Sequence, residues 1–124
     1  MARVMAVALD VMDAPFVWGV TDCSAAVCTV FHRLYGIDPM RSVRGTYTTP
    51  TGAARLIARY GGLAEMAAAL AEREGLEACE PREGAIGVAD KSLVICVSPR
   101  AWLGKTETGL STVHHVKAAY HVPT

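Results

Sequence analysis

A thiol opens an amphipathic segment in Phe16-Val17-Trp18-Gly19-Val20-Thr21-Asp22-Cys23-Ser24. Thr21 and Asp22 are both good helix caps, so Cys23 falls in the first turn of the helix that follows. Unpaired backbone N–H groups and the helix dipole favour an anion there, which predicts a stabilised thiolate and a lowered pKa. The chemistry would be attack of sulfur on a carbonyl carbon, with the Cys23 N–H donating to the developing oxyanion. Trp18, Gly19, Asp22 and Ser24 are the residues that would support this nucleophile loop. A free cysteine is also a serviceable small hydrophobe, and Cys28 and Cys96 read that way.

A sulfur nucleophile needs a base. His32 lies nine residues along the same helix, roughly 13 Å away by the helical rise, and is out of reach. His114, His115 and His121 fall on or near the last strands, from which one could approach Cys23 as a rearranged Cys/His pair. The alternative places His114 and His115 in a turn and His121 on an exposed strand face. The four cysteines are irregularly spaced, no CxxC pair occurs, and the adjacent His114 and His115 would point apart. Neither a disulfide framework nor a metal site nor a bound cofactor is expected.

The elements that must position these groups follow from periodicity. Val4, Val7, Ala8 and Val11 form a short helical stripe that Ala14-Pro15 ends. Val27, Val30, Phe31 and Leu34 repeat at helical spacing, with Gly36 where a C-terminal cap belongs, and they put Cys23 on the sheet-facing side. Residues 37–49 read as a polar, arginine-bearing loop. Thr49-Pro50 opens a third helix that Gly61-Gly62 ends, and Leu63 to Glu74 makes a fourth. Beyond Gly75 the segments 85–89, 93–98, 101–103, 110–113 and 119–122 are short and rich in β-branched residues, with the glutamate-rich run 72–83 before them as a solvated edge. Helices first and strands second predict an α+β domain with an antiparallel sheet.

Composition bounds the function. With 124 residues the chain is one domain's worth, and at 52% hydrophobic and 19% charged residues it is not disordered. Twelve basic residues balance twelve acidic ones, which leaves no electrostatic footprint for nucleic acid. Arg41, Arg44, Arg55 and Arg59 could form a basic face toward an anionic wall polymer or a neighbouring subunit, but a solvated helix-and-loop surface is the favoured reading. The apolar stretch Val4 to Leu9 is far short of the ~20 residues of a membrane span and lacks the features of a signal peptide. Synthesis and folding in the bacterial cytoplasm, without membrane insertion, are expected.

The segment from Trp18 through Asp22-Cys23-Ser24 resembles the nucleophile segment of NlpC/P60-type papain-like cysteine peptidases. The order of segments is similar to a small phage- and prophage-encoded branch related to that family. It shows in Gly36-Ile37-Asp38-Pro39, in Arg44-Gly45-Thr46-Tyr47, in Ala54-Arg55-Leu56 leading to Gly61-Gly62-Leu63, and in the closing strands up to Ala118-Ala119-Tyr120-His121-Val122. The resemblance spans nearly the whole of residues 1–124 as one domain. It implies an NlpC/P60-type fold in which the Cys23 helix packs on a small antiparallel sheet. It also implies a histidine base opening the second sheet strand, and cleavage of amide bonds in peptidoglycan stem peptides. The expected setting is a phage-like tail or tail tip, with other tail proteins as partners and peptidoglycan as substrate. This sequence departs where the base belongs, reading Asp90-Lys91-Ser92-Leu93-Val94, and Gly84-Ala85 replaces the usual Gly-Asp. Two expectations follow: a tail-associated cysteine peptidase with its histidine drawn from His114, His115 or His121, or an inactive tail component that keeps the fold as a docking scaffold.

Overall fold

Apolar stripes and their caps set the helices. In the computed structural model, which describes residues 2–124, α1 spans Ala2–Met12, α2 Cys23–Tyr35, α3 Pro50–Tyr60 and α4 Leu63–Arg73. Asp22 is the N-cap of α2, and Gly36 closes that helix in the left-handed conformation at φ 76°. The Thr49 side chain accepts from the Gly52 N–H to cap α3, while Pro50 takes the position where its missing N–H matters least.

The second half of the chain supplies β1 (Glu77–Ala78), β2 (Ile86–Val88), β3 (Leu93–Ser98), β4 (Ala101–Thr106), β5 (Gly109–Val113) and β6 (Ala118–His121). All pairings are antiparallel, and the strand order is β1-β6-β2-β3-β4-β5. The architecture is α+β. No helix among the described residues is long and apolar enough to cross a membrane.

Three local expectations are corrected. The 72–83 run is not only a solvated edge: it buries Leu76 and contains β1, whose two exposed residues have no apolar period to announce them. Strand β4 continues past Leu103 because Gly104, Lys105 and Thr106 pair with Ser111, Leu110 and Gly109. Cross-strand pairing thus prevails over the weak strand propensity of Gly and Lys. The 37–49 segment is no free polar loop, since Met40, Val43 and Tyr47 are buried in the main core.

One helical layer covers one face of the sheet. Val27, Val30 and Phe31 of α2 are fully buried in a common core with Leu93, Ile95 and Val97 of β3. Each such burial contributes about 1.5–3 kcal/mol relative to exposure, which fixes α2 across the sheet. The intervening residues Val94 and Cys96 point the other way, into a second core with Ala85, Trp102 and Ala119. Strand β3 is covered on both faces, so its sequence is an unbroken apolar run rather than an alternation.

Trp102 lies over Gly87 on the outer face. A Cβ on Gly87 would sit 2.7 Å from Trp102 Cζ3 and 2.7 Å from Val116 Cγ1. Gly87→Ala is therefore expected to cost about 1–3 kcal/mol in a urea melt, as overpacking does. Gly109→Ala, with nothing within 4 Å of the new methyl, should lie close to the parent. Equal midpoints for the two variants would show that Trp102 does not pack on β2.

Candidate functional site

The nucleophile loop is organised by a buried carboxylate. Asp22 is 1% exposed, and its Oδ1 accepts from Ser24 N and Ala25 N, each at 3.0 Å. Its Oδ2 accepts from Gly19 N at 2.7 Å and from the Tyr47 hydroxyl at 2.7 Å. The positive end of the α2 dipole adds to these four donors. Gly19 has φ 86°, and a Cβ there would stand 2.2 Å from the Tyr47 carbonyl oxygen, so only glycine fits where the two loops cross. The Thr21 hydroxyl accepts from Val17 N and donates to the Pro15 carbonyl, closing the turn that delivers Asp22.

Tyr47 is itself delivered by an ion pair. Arg44 grips Asp38 with two bonds, Nε to Oδ2 at 2.6 Å and Nη2 to Oδ1 at 2.9 Å, and Asp38 Oδ1 also accepts from Met40 N. Burial pushes the Asp38 carboxyl up, but the Arg44 bonds and charge outweigh it and the net direction is down. Burial, then the bond to Asp22, holds the Tyr47 phenol protonated far above its ordinary range. Arg41 pairs with Glu74 at 3.2 Å, so Arg41 and Arg44 are engaged within the chain and do not form the basic face considered from the sequence.

Cys23 is half-buried on the sheet side of α2, with its sulfur 3.9 Å from the Ser24 hydroxyl. The backbone N–H groups of Ser24 and of Leu93, the first residue of β3, are directed at it. The expected thiolate is not stabilised. Burial raises the Cys23 pKa, the Asp22 charge raises it further, and the bonds from Ser24 and Leu93 recover only part. The crevice at Cys23 is lined by Trp18, Tyr47, Leu56, Ile57 and Met66 and encloses about 30 Å³. That is about one water molecule's share of liquid volume, against the several hundred Å³ of a ligand pocket. Trp18 is held there edge-to-face by Phe16 at a centroid distance of 5.0 Å.

The structure brings Trp18, Gly19, Asp22, Cys23 and Ser24 together and keeps every histidine away. His121 is buried on β6: its Nε2 lies 3.1 Å from the Glu83 carbonyl, and its Nδ1 accepts from Val122 N at 2.7 Å. Its ring packs on Tyr35 at 4.6 Å. Tyr35 ends α2, twelve residues and about 18 Å of helical rise from Cys23. The His114 Nδ1 lies 2.8 Å from the Arg100 carbonyl, in the β3–β4 turn. Cys23 sits at the other end of β3, five residues or about 17 Å away. His115 follows His114 in the exposed loop after β5. No rearranged Cys/His pair is formed. The expectation that His121 lies on an exposed face is likewise corrected.

Two residues of the region carried no sequence signal as site groups. Tyr47 is one. Lys105, only 7% exposed, is the other: its Nζ donates to the carbonyls of Met12 and Ala14 and so caps the C-terminal end of α1 beside the loop. Among the described residues, no group of three or more His, Cys, Asp or Glu side chains could hold a metal ion.

Over residues 1–122 the chain matches the family described as a domain of unknown function (DUF6950), and it belongs to that family. No curated protein and no solved structure matches it.

Tyr47→Phe, which removes one donor from the buried Asp22 carboxylate, should cost about 1.5–3 kcal/mol in denaturant melts, with Asp22→Ala costing more. A loss below about 0.5 kcal/mol would mean that this hydrogen bond does not hold the loop. The pKa of His121 is lowered, first by burial and then by the Arg82 charge. Its neutral form therefore contributes stability that is complete above the unfolded pKa of about 6.5 and is lost as pH falls through the folded value. Between pH 7 and 5 the denaturant midpoint should fall more steeply for the parent chain than for His121→Gln. Parallel slopes would remove His121 from the account.

Proposed function

We propose that this member of the DUF6950 family is a phage-like tail component with an NlpC/P60-like core, in which Cys23 keeps the nucleophile's place without a base and the domain serves as a docking scaffold. What carries the reading is the approach to the sulfur. At the strand opening where the resembling peptidases carry an imidazole, the neighbour of Cys23 is the Leu93 backbone N–H. Burial and the Asp22 charge raise the Cys23 pKa, which keeps the sulfur in its thiol form, and no imidazole stands beside it to take the proton. The closed crevice supports the same reading, since a stem peptide needs far more room than one water molecule. The tail setting rests on the resemblance of the ordered segments from Trp18 to Val122.

The competing reading, a peptidoglycan amidase or endopeptidase, draws on the intact Asp22-Cys23-Ser24 and on the position of Cys23 at a helix N-terminus. Attack by sulfur on a peptide carbonyl would place negative charge near the Cys23 N–H. The proton from the thiol must leave in the same event, and no imidazole stands near enough to take it.

The pH dependence of alkylation at Cys23, resolved from the other thiols by peptide mass analysis, separates the two. The expected midpoint lies at or above the ordinary thiol value of about 8.5, and His114→Ala, His115→Ala and His121→Ala leave it unmoved. A midpoint several units lower that reverts in one of those variants would establish the peptidase. Purified tail particles should contain the chain in fixed proportion to the other tail proteins; its absence from them would overturn the tail assignment.

A further inference from the structure

The two edges of the sheet are treated differently. The β1 edge is blunted: two residues long, with Glu77 in it and Glu80 and Pro81 just beyond. The β5 edge is not. Gly109-Leu110-Ser111-Thr112-Val113 is five residues without charge or proline, paired with β4 on one side only. A two-residue turn joins β4 to β5, so the closing pair Thr106 and Gly109 exchanges hydrogen bonds and the pairs alternate from there. Leu110 and Thr112 accordingly turn their backbone N–H and C=O groups outward, away from the sheet.

Beside this edge lies an open groove of about 700 Å³, between the end of α1 and the β4–β5 hairpin. Its apolar parts are Leu9, 45% exposed, and Leu110, 44% exposed, with Phe16 beside them. Its charged parts are acidic: Asp10, Asp13 and Glu107. Asp10 is engaged by Arg33, and the Lys105 ammonium is spent on the α1 carbonyls. Asp13 and Glu107 have no cationic partner among the described residues.

We infer that β5 accepts an extended segment of a partner protein as a seventh strand. That segment places apolar side chains beside Leu110 and Leu9, and lysine or arginine against Asp13 and Glu107. The inference deepens the scaffold reading by naming the docking surface, and it rests on that reading only in taking the chain to work through a protein partner.

The test uses the full chain and two fluorescein-labelled heptapeptides, each with threonine on one strand face and valine, a charged residue and valine on the other, the charged residue being lysine in one and glutamate in the second. The lysine peptide should bind at least about tenfold more tightly in anisotropy titrations, and should slow amide hydrogen exchange at Leu110 and Thr112. Thr112→Pro removes an outward N–H without touching the β4 ladder and should abolish binding. Glu107→Lys, in the exposed turn, should reverse the preference between the peptides while the thermal melt is unchanged. Equal binding of the two peptides, protection that avoids β5, or full binding by a folded Thr112→Pro variant would overturn the inference. So would a dimer in sedimentation that Thr112→Pro dissolves, since a second copy would then own the edge. None of these variants touches Cys23, so the alkylation profile and this titration fail independently.

Discussion

The Asp22 carboxylate is the constraint on which the rest of the site depends. It is a buried charge with four hydrogen-bond donors drawn from three segments: the 15–21 loop, the first turn of α2 and the 37–49 segment. Removing any one segment would leave a charge in the core facing fewer donors than burial requires. The Asp38–Arg44 pair orders the segment that delivers Tyr47, and Lys105 fixes the α1 end from which the 15–21 loop departs. These contacts hold one short stretch of backbone, and Cys23 is the residue immediately after it.

The same carboxylate works against ionisation of the thiol it positions. A helix N-terminus lowers the energy of an anion, but that benefit falls off within one turn and is modest at its best. Against it stand the removal of the sulfur from water and the adjacent negative charge of Asp22. Asp22 already occupies the N–H groups of Ser24 and Ala25, the donors that a helix end offers. The cap and the sulfur therefore share the Ser24 N–H, whose bond recovers only part of what burial and the Asp22 charge cost the anion. An imidazolium beside the sulfur would reverse the balance by supplying a positive charge.

Local features of the site were legible in the sequence; long-range ones were not. Capping chemistry located α2 and α3 to within a residue or two, because Asp22, Gly36, Thr49 and Pro50 act on their immediate neighbours. The loop from Trp18 to Ser24 could be recognised for the same reason. Tyr47 reaches Asp22 across 25 residues and Lys105 reaches Met12 across 93, and no periodicity encodes such a pairing. The histidines misled because strand sequence does not state strand order. His114, His115 and His121 are close together in the chain, yet β6 inserts between β1 and β2 while β5 takes the far edge.

That topology makes the separation of Cys23 from every imidazole a property of the fold rather than of a rotamer. Strand β3 is the ruler. The sulfur meets its first residue, Leu93, while His114 is tied to the turn beyond its last, at Arg100. His121 on β6 lies level with the far end of α2, where Tyr35 and Phe31 enclose its ring. Moving either histidine to the thiol would require shifting a strand along a ladder whose central member is packed on both faces. A one-residue slip there would exchange Leu93 and Ile95 with Val94 and Cys96 between two filled cores. An imidazole for Cys23 would therefore have to come from another chain. The crevice walled by α3 and α4 encloses only about 30 Å³ beside the sulfur, whereas the open edge at β5 offers such a chain five residues of backbone.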